Sequence, residues 1–228
     1  MRWSLEAAGI LARGTVAPLA AGLVAVVLRP QLRVAVEVLR GGAVVTHRAR
    51  ATPEVAVVGR SVADDVVEYA FCDPLALPFG LAALVSLGQG AAPGDRRPVT
   101  LTVGALEAAT DLVERGLTAE AAGALRAAGL AEADADAVVR IVAGRRMTWR
   151  AGSAWADDAG RVHEGAVTVV DAGPEGLWCS SAAGDGDQGP GCLLRLAPLT
   201  AAQAWWELVA LMPRRSQEPA AATAPAGG

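Results

Sequence analysis

Hydrophobic and polar residues alternate along two separate stretches of the chain, and the first stretch divides into four short runs. Its first run places valines at positions 34, 36 and 38 between Arg33, Ala35 and Glu37, which is the pattern of a half-buried strand. Gly41-Gly42 and Thr52-Pro53 are turn signals. This stretch predicts an antiparallel meander with strands at residues 32–39, 43–51, 54–60 and 64–72.

The second stretch repeats this arrangement, with predicted strands at residues 145–155, 162–172, 176–182 and 192–197. Each predicted meander ends at a proline followed by an apolar helix, at residues 75–87 after Pro74 and at residues 200–212 after Pro198. A shift of 124 positions also superposes Leu75 on Leu199 and three further apolar pairs (Leu84/Leu208, Val85/Val209, Leu87/Leu211). We therefore expect an internal duplication: an α+β, quasi-twofold fold of two four-strand meanders, each followed by a helix.

Helical patterns fill the remaining chain. Residues 16–28 are apolar and predict a buried helix, and residues 89–98 read as a linker. Three helices follow, the first capped by Thr102, the second by Thr118, and the third covering residues 132–143. We expect one domain over residues 1–212, with halves at about 15–88 and 145–212, a helical insert at 102–143, and a disordered tail at 213–228.

Composition excludes several functional classes. The chain of 228 residues is 53% hydrophobic and has a formal charge of −4, from 20 basic and 24 acidic residues, so it has no strong field for nucleic acid. All basic residues are arginine, which excludes lysine chemistry. The apolar run at 16–28 is shorter than the ~20 residues that cross a bilayer, so we expect no membrane insertion.

Candidate catalytic and cofactor motifs fail in context. The G-x-G-x-x-G string at residues 184–189 contains Asp185 and Asp187, which would repel phosphate, and a predicted strand follows it instead of a helix. His47 and His163 are the only histidines, and neither has a second ligand at metal-binding spacing, so both are interpreted as strand-surface residues. We expect no catalytic site, metal or cofactor; the alternative is a small-ligand enzyme that uses His163 or Asp157.

Cys179 and Cys192 flank a predicted hairpin nearly symmetrically. A disulfide and a pair of buried free thiols both fit this placement. An odd total of three scattered cysteines is typical of a reducing compartment, so we favour free thiols.

Tryptophan and arginine indicate an interaction surface. Alternation predicts that Trp178 shares a sheet face with Arg195, and that Arg146 and Arg150 share a face of the preceding strand. Aromatic residues and arginine are enriched at protein interfaces. We predict these four residues as partner-binding; a solvated arginine-rich face is the other interpretation.

Several segments resemble one protein family. They are the runs at residues 36–42, 125–130, 143–146 and 158–161, together with the strand, proline and helix around Pro74. Over about residues 15–212 the chain resembles the EspG family of type VII (ESX) secretion chaperones. The resemblance implies a quasi-twofold αβ fold and a cytosolic, non-enzymatic chaperone. Such a protein would bind the helical tip of PE–PPE-like heterodimers and keep them soluble for export. The alternatives are the small-ligand enzyme and a homodimeric scaffold protein without a client.

Overall fold

The computed structural model describes residues 11–13, 15–63, 66–88, 96–157, 159–183 and 189–213. The strands of this part are β1 (Leu11–Ala12), β2 (Thr15–Val16), β3 (Leu32–Arg40), β4 (Ala43–Ala51), β5 (Ala56–Ala63), β6 (Val66–Cys72), β7 (Val99–Thr102), β8 (Met147–Ala156), β9 (Val162–Asp171), β10 (Leu177–Ala182) and β11 (Leu193–Leu199). Its α-helices are α1 (Pro18–Leu28), α2 (Leu77–Leu84), α3 (Val103–Glu114), α4 (Thr118–Ala127), α5 (Glu132–Ala143) and α6 (Ala201–Ala210). Short 3₁₀ turns at Pro74–Ala76 and Gly173–Glu175 precede α2 and β10.

Nine strands form one antiparallel sheet in the order β6-β5-β4-β3-β8-β9-β10-β11-β7, while β1 and β2 form a separate hairpin. Strands β3 to β6 pair consecutively, and so do β8 to β11. The two runs meet where β3 pairs with β8, with Leu32 opposite Trp155 and Leu39 opposite Thr148. The predicted α+β class is confirmed, and its antiparallel strands form one large sheet.

The central strand β3 shows how the sequence produces this sheet. Its residues at 32, 34, 36 and 38 are buried, and the intervening Arg33, Ala35 and Glu37 are exposed. The hairpin to β4 turns at Gly41 and Gly42, whose φ angles are 56° and 81°. Glycine meets this requirement without steric cost, because a tight primed turn needs positive φ at both central residues.

Helices α2 and α6 lie on one side of the sheet, which we call the core face. The main hydrophobic core lies between them and the sheet, and it includes Val36 and Trp149 of the central strands, Leu81 of α2 and Leu208 of α6. The two helices also contact each other. The core face therefore joins the N-terminal and C-terminal halves in one packed layer.

The opposite side, which we call the open face, carries described helices over its two ends. At one end α1 lies over β4 and β5, and Arg50 Nη1 donates a hydrogen bond of 2.8 Å to the carbonyl oxygen of Val27. At the other end α3, α4 and α5 form a second core with Leu101, Trp178 and Leu196 of β7, β10 and β11. The central strands lie between these two helical walls.

The helical insert differs from expectation at two points. Strand β7 was not predicted; it pairs with β11, with Leu101 opposite Leu194, and adds an edge strand to the sheet. The predicted Thr118 cap is wrong, because Thr118 is the first helical residue and the capping position belongs to Leu117. The Thr102 cap is confirmed, since its side chain accepts a 3.2 Å hydrogen bond from the N–H of Ala105.

Helix α1 is not the buried helix that its sequence predicts. Among its described side chains Ala20 and Val26 are buried, whereas Leu28 is 72% exposed. No described helix is both long and apolar enough to cross a membrane. Most of the predicted linker, at 89–95, and nearly all of the predicted tail, at 214–228, lie outside the described residues.

Candidate functional site

A groove of about 690 Å³ lies on the open face over β4, β3, β8 and β9. One row of residues crosses its floor from strand to strand: Arg48 pairs with Ala35, Ala35 with Gly152, and Gly152 with Ala166. Three of the four are alanine or glycine, so a ligand can approach the sheet backbone closely. A Cβ at Gly152 would make only an ordinary contact of 3.8 Å with the carbonyl oxygen of Gly165.

Charged side chains flank this floor. Arg33 pairs with Arg50 in the row on one side, and Glu37 pairs with Arg150 in the row on the other. The ion pairs of the described residues use other arginines, so the guanidinium groups of Arg33 and Arg150 are available to a partner. The groove is lined by four arginines and two glutamates: Arg33, Arg48, Arg50 and Arg150, and Glu37 and Glu164. It therefore carries an excess of positive charge, although the net charge of the chain is −4.

Aromatic side chains extend the open face beyond the groove toward the edge strand β6. Tyr69 and Phe71 of β6 are 54% and 51% exposed. Tyr69 pairs with Gly59, which pairs with Arg48 of the groove floor. Tyr69 Cε1 lies 3.0 Å from where a Cβ on Gly59 would stand, so the glycine leaves room for the ring to cover β5. The result is an open face that carries apolar and cationic groups side by side.

Asp157 and His163 lie together at the β8–β9 turn, where their hydrogen bonds organise the turn. Asp157 Oδ1 accepts bonds from the N–H groups of Ala159 and Arg161, and its Oδ2 accepts one of 2.8 Å from Arg161 Nε and lies 3.1 Å from His163 Nε2. These bonds, the backbone N–H of Arg161 first, lower the pKa of Asp157 to about 2. The His163 ring stacks on Trp155 at 4.1 Å. A carboxylate with so low a pKa is a weak general base near neutral pH.

His47 is 7% exposed, so its interpretation as a surface residue is wrong. Its Nδ1 accepts a 3.1 Å hydrogen bond from the backbone N–H of Ser61. Burial, and secondly the charge of Arg60, lower the pKa of His47. The signal was in the sequence, because Ala49 and Ala51 lie on the same side of β4 and are apolar.

The cysteines are free thiols, as we favoured, and Cys179 lies opposite Ala197 rather than Cys192. Burial, and then the charge of Glu207, raise the pKa of Cys179. Within the described ranges, no three His, Cys, Asp or Glu side chains come close enough together to hold a metal ion. Residues 184–188 of the glycine-rich string lie outside the described part, so the interpretation of that string stays a prediction.

Comparison with known proteins assigns the chain to a family. The sequence matches the family model of EspG over residues 1–203. The chain belongs to the EspG family. Its fold is similar to that of the Mycobacterium tuberculosis type VII secretion system chaperone EspG5, solved in complex with the PE25–PPE41 dimer, with a TM-score of 0.61. That likeness covers 93% of this chain and 84% of the EspG5 chain at 17% identity, so it shows a shared fold. No curated protein sequence matches.

Two of the predicted partner-binding residues of this EspG protein lie on β8 or directly before it. Arg150 lines the groove, and its role in binding stays a prediction. Arg146 is paired instead: its Nη2 lies 3.0 Å from both carboxylate oxygens of Asp171. The Asp171 side chain is 13% exposed and also accepts a bond from the N–H of Gly173. Arg146 therefore stabilises the β9–β10 turn of the EspG fold.

The predicted shared face of Trp178 and Arg195 is wrong. Trp178 pairs with Pro198, whereas Arg195 pairs with Ser181 on the opposite side of the sheet. Trp178 is 1% exposed under the helical insert, and its Nε1 donates a 2.9 Å hydrogen bond to the carbonyl oxygen of Glu175. The prediction missed Arg33, Arg48 and Arg50. Alternation within β3 and β4 places all three on the side of the sheet away from the buried apolar residues of the same strands.

Proposed function

We propose that this EspG protein is a cytoplasmic, non-enzymatic chaperone of a type VII (ESX) secretion system. It binds the helical tip of a PE–PPE-like heterodimer in the open-face groove and keeps the heterodimer soluble until export. Membership of the EspG family carries this proposal. The EspG5 structure supports the kind of client, because that chaperone is bound to a PE–PPE dimer.

The width of the groove fits an α-helix. The floor consists of the neighbouring strands β4, β3, β8 and β9. Neighbouring strands lie about 4.8 Å apart, so the distance from β4 to β9 is roughly 14 Å. An α-helix with its side chains is about 10–12 Å across. A single helix, or the turn between two helices, can therefore lie on the floor formed by Ala35, Gly152 and Ala166.

The chemistry of the open face fits a client with apolar and acidic side chains. The small floor residues and Tyr69 offer surface for apolar groups, while Arg33, Arg48 and Arg150 offer charged donors for carboxylates. Covering an exposed apolar tip prevents the aggregation that large exposed apolar patches promote. We infer that the groove shields the client's tip during its time in the cytoplasm.

We also infer that the two halves are a duplication within one domain. Strands β3 to β6 and β8 to β11 are each ordered consecutively in the sheet, and each set precedes a helix on the core face. The first helix follows Pro74 and the second follows Pro198. A superposition of residues 32–84 on residues 147–210 tests this inference, and strands that fail to overlay in order would reject it.

The test of the chaperone function is binding of a PE–PPE-like heterodimer from the same organism. We expect co-purification with the wild-type chain and a dissociation constant measurable by calorimetry. Gly152→Trp fills the groove where a Cβ meets no obstacle, and it should weaken binding at least tenfold, which corresponds to about 1.4 kcal/mol. Arg48→Glu together with Arg150→Glu should weaken binding more strongly at low salt than at high salt.

Gly123→Trp is the matched control. Gly123 lies in α4, where an added Cβ would approach only the tip of Arg126 at 4.0 Å, and it does not line the groove. This variant should bind like the wild type. A wild-type chain that captures no PE–PPE-like client would reject the chaperone function, and a Gly152→Trp chain that binds normally would reject the groove as its site.

A further inference from the structure

Three arginines lie next to one another on the β4 side of the groove. We define the arginine site as Arg33 of β3 together with Arg48 and Arg50 of β4. Arg33 stands directly opposite Arg50 in the sheet, where the Cβ atoms of a pair are about 4.5–5.5 Å apart. Arg48 pairs with Ala35, the next residue of β3 on the same face. It is therefore a diagonal neighbour of Arg33 at roughly 7–8 Å, which is within reach of a long side chain.

The arginine site concentrates like charge without a counter-ion. Two cations directly opposite each other destabilise a sheet, yet none of the three guanidinium groups takes part in an ion pair of the described residues. Glu164 lies in the row of Arg33, but it is two strands away on β9 with Ala154 between them, a distance of about 10 Å. Such a cluster in an open groove indicates that the opposite charge comes from a ligand.

Arg50 is held in position by the fold itself. Its Nη1 donates a 2.8 Å hydrogen bond to the carbonyl oxygen of Val27, in the last turn of α1, where the helix dipole favours a cation. On β5 it pairs with Val57, which is 2% exposed. A guanidinium group has five N–H donors, so Arg50 keeps others for a ligand. Because this side chain is already ordered, binding an oxyanion here costs less conformational entropy than binding it to a free arginine.

The surroundings of Arg48 strengthen its attraction for an oxyanion. Arg48 pairs with Gly59, and Gly59 pairs with Tyr69. The Tyr69 ring covers Gly59, since its Cε1 lies 3.0 Å from where a Cβ would stand. The arginine site is therefore bordered on the β5 side by α1 and by this ring, which displace water and lower the local dielectric constant. Arginine also presents a planar fork that matches the two oxygens of a carboxylate.

We propose that the arginine site binds a carboxylate of the client and thereby fixes the orientation in which the client lies in the groove. This inference rests on the proposed function, and it adds which part of the groove reads the charge of the client. A client turned end for end would bring the same carboxylate to the β9 side, which carries Glu164 and no groove-lining arginine. Repulsion by Glu164 would disfavour that orientation. The small floor residues accept apolar groups in either orientation, so the charges decide between the two.

Arg33→Gln tests the arginine site both without and with the client. Removing one of two facing cations should raise the thermal unfolding midpoint at low salt, and the gain should shrink at high salt, where the repulsion is screened. The same variant should bind a PE–PPE-like heterodimer at least tenfold more weakly in calorimetry. Arg33→Lys keeps the charge but loses the planar fork, so it should recover only part of the affinity. Arg97→Gln is the matched control, because Arg97 is exposed and does not line the groove; it should bind the client like the wild type.

An exchange of charges identifies the carboxylate. Each Asp and Glu on the tip of the client is replaced in turn by Lys, and one replacement should weaken binding to the wild-type chain at least tenfold and restore binding to Arg33→Glu. If no replacement restored it, or if Arg33→Gln bound the client like the wild type, the arginine site would be overturned and the chaperone function would stand. A lower unfolding midpoint of Arg33→Gln at low salt would also overturn it, because Arg33 would then be neutralised within the chain. A wild-type chain that binds no client would reject the chaperone function and, with it, the client as the source of the carboxylate.

Discussion

Replacing Trp178 with alanine tests whether this residue is a core residue or a partner-binding residue. Its side chain is 1% exposed and packs in the second core with Leu101 and Leu196. Trp→Ala in a well-packed core costs about 3–5 kcal/mol, and the lost hydrogen bond to Glu175 adds about 1 kcal/mol. The carbonyl oxygen of Glu175 keeps Arg96 as a donor, so it does not become an unpaired buried acceptor.

We therefore expect Trp178→Ala to lower the free energy of unfolding by about 4–6 kcal/mol, a large part of the 5–15 kcal/mol of a typical domain. Urea unfolding followed by far-ultraviolet circular dichroism measures it, because that signal does not depend on tryptophan fluorescence. The midpoint should fall while the slope stays unchanged. Trp178→Phe, which keeps most of the packing, should cost less than half as much.

Trp206→Ala is the control for this prediction. Trp206 is 65% exposed, and surface substitutions usually change stability by less than about 0.5 kcal/mol. If Trp178→Ala cost less than about 1 kcal/mol and abolished client binding instead, the assignment of Trp178 to the core would be refuted.

Three further predictions concern stability. Burial and the charge of Arg60 lower the pKa of His47 from 6.5. The stability that neutral His47 contributes to the fold is therefore complete above pH 6.5 and is lost as the pH falls through the lowered pKa of the folded state. His47→Gln should make the unfolding midpoint less dependent on pH between pH 7 and 5, and an unchanged pH profile would contradict this. The buried Ser153 Oγ has no hydrogen-bond partner among the described residues, so Ser153→Ala should stabilise the fold by about 1 kcal/mol in urea unfolding, and a clear loss would argue against an unpaired hydroxyl. Thr200 forms a capping box with Gln203 at the start of α6, so Thr200→Ala should cost about 1 kcal/mol in thermal unfolding, whereas Thr200→Ser should cost less.

Regular local patterns predicted most of the sheet. The strand β4 was predicted with its observed bounds, Ala43–Ala51, and the helix α5 with its bounds, Glu132–Ala143. In both elements the apolar positions follow one period and glycine marks an end. The bounds of such elements depend on residues close together in the chain, so they can be predicted from the sequence of this protein alone.

Long-range pairing could not be predicted in the same way. The four residues of β7, Val-Thr-Leu-Thr, alternate apolar and polar side chains, but so short a run does not identify a strand without its partner. They pair with β11, about ninety positions later. The prediction that Trp178 and Arg195 share a face failed for a related reason. The residues between β10 and β11 hide the register, and a shift of one residue moves every side chain to the opposite face.

The candidate site was only partly visible in the sequence. Arg150 was identified, but the groove also needs Arg48 of β4 and Ala35 of β3, which come from the other half of the chain. They adjoin the second half only because β3 pairs with β8 at the centre of the sheet. Helix α1 forms one wall of the groove and accepts a hydrogen bond from Arg50 of β4. Nothing in the local sequence pattern indicates that contact.

The central claim is that the open face, and not the core face, holds the client. The most direct measurement is photo-crosslinking of the full chain with a co-expressed PE–PPE-like heterodimer, with a benzophenone amino acid placed at Ala35 in the groove or at Trp206, which is exposed on α6 on the core face. We expect a covalent adduct with the client from position 35 and none from position 206. An adduct with the client from position 206 and none from position 35 would contradict the account.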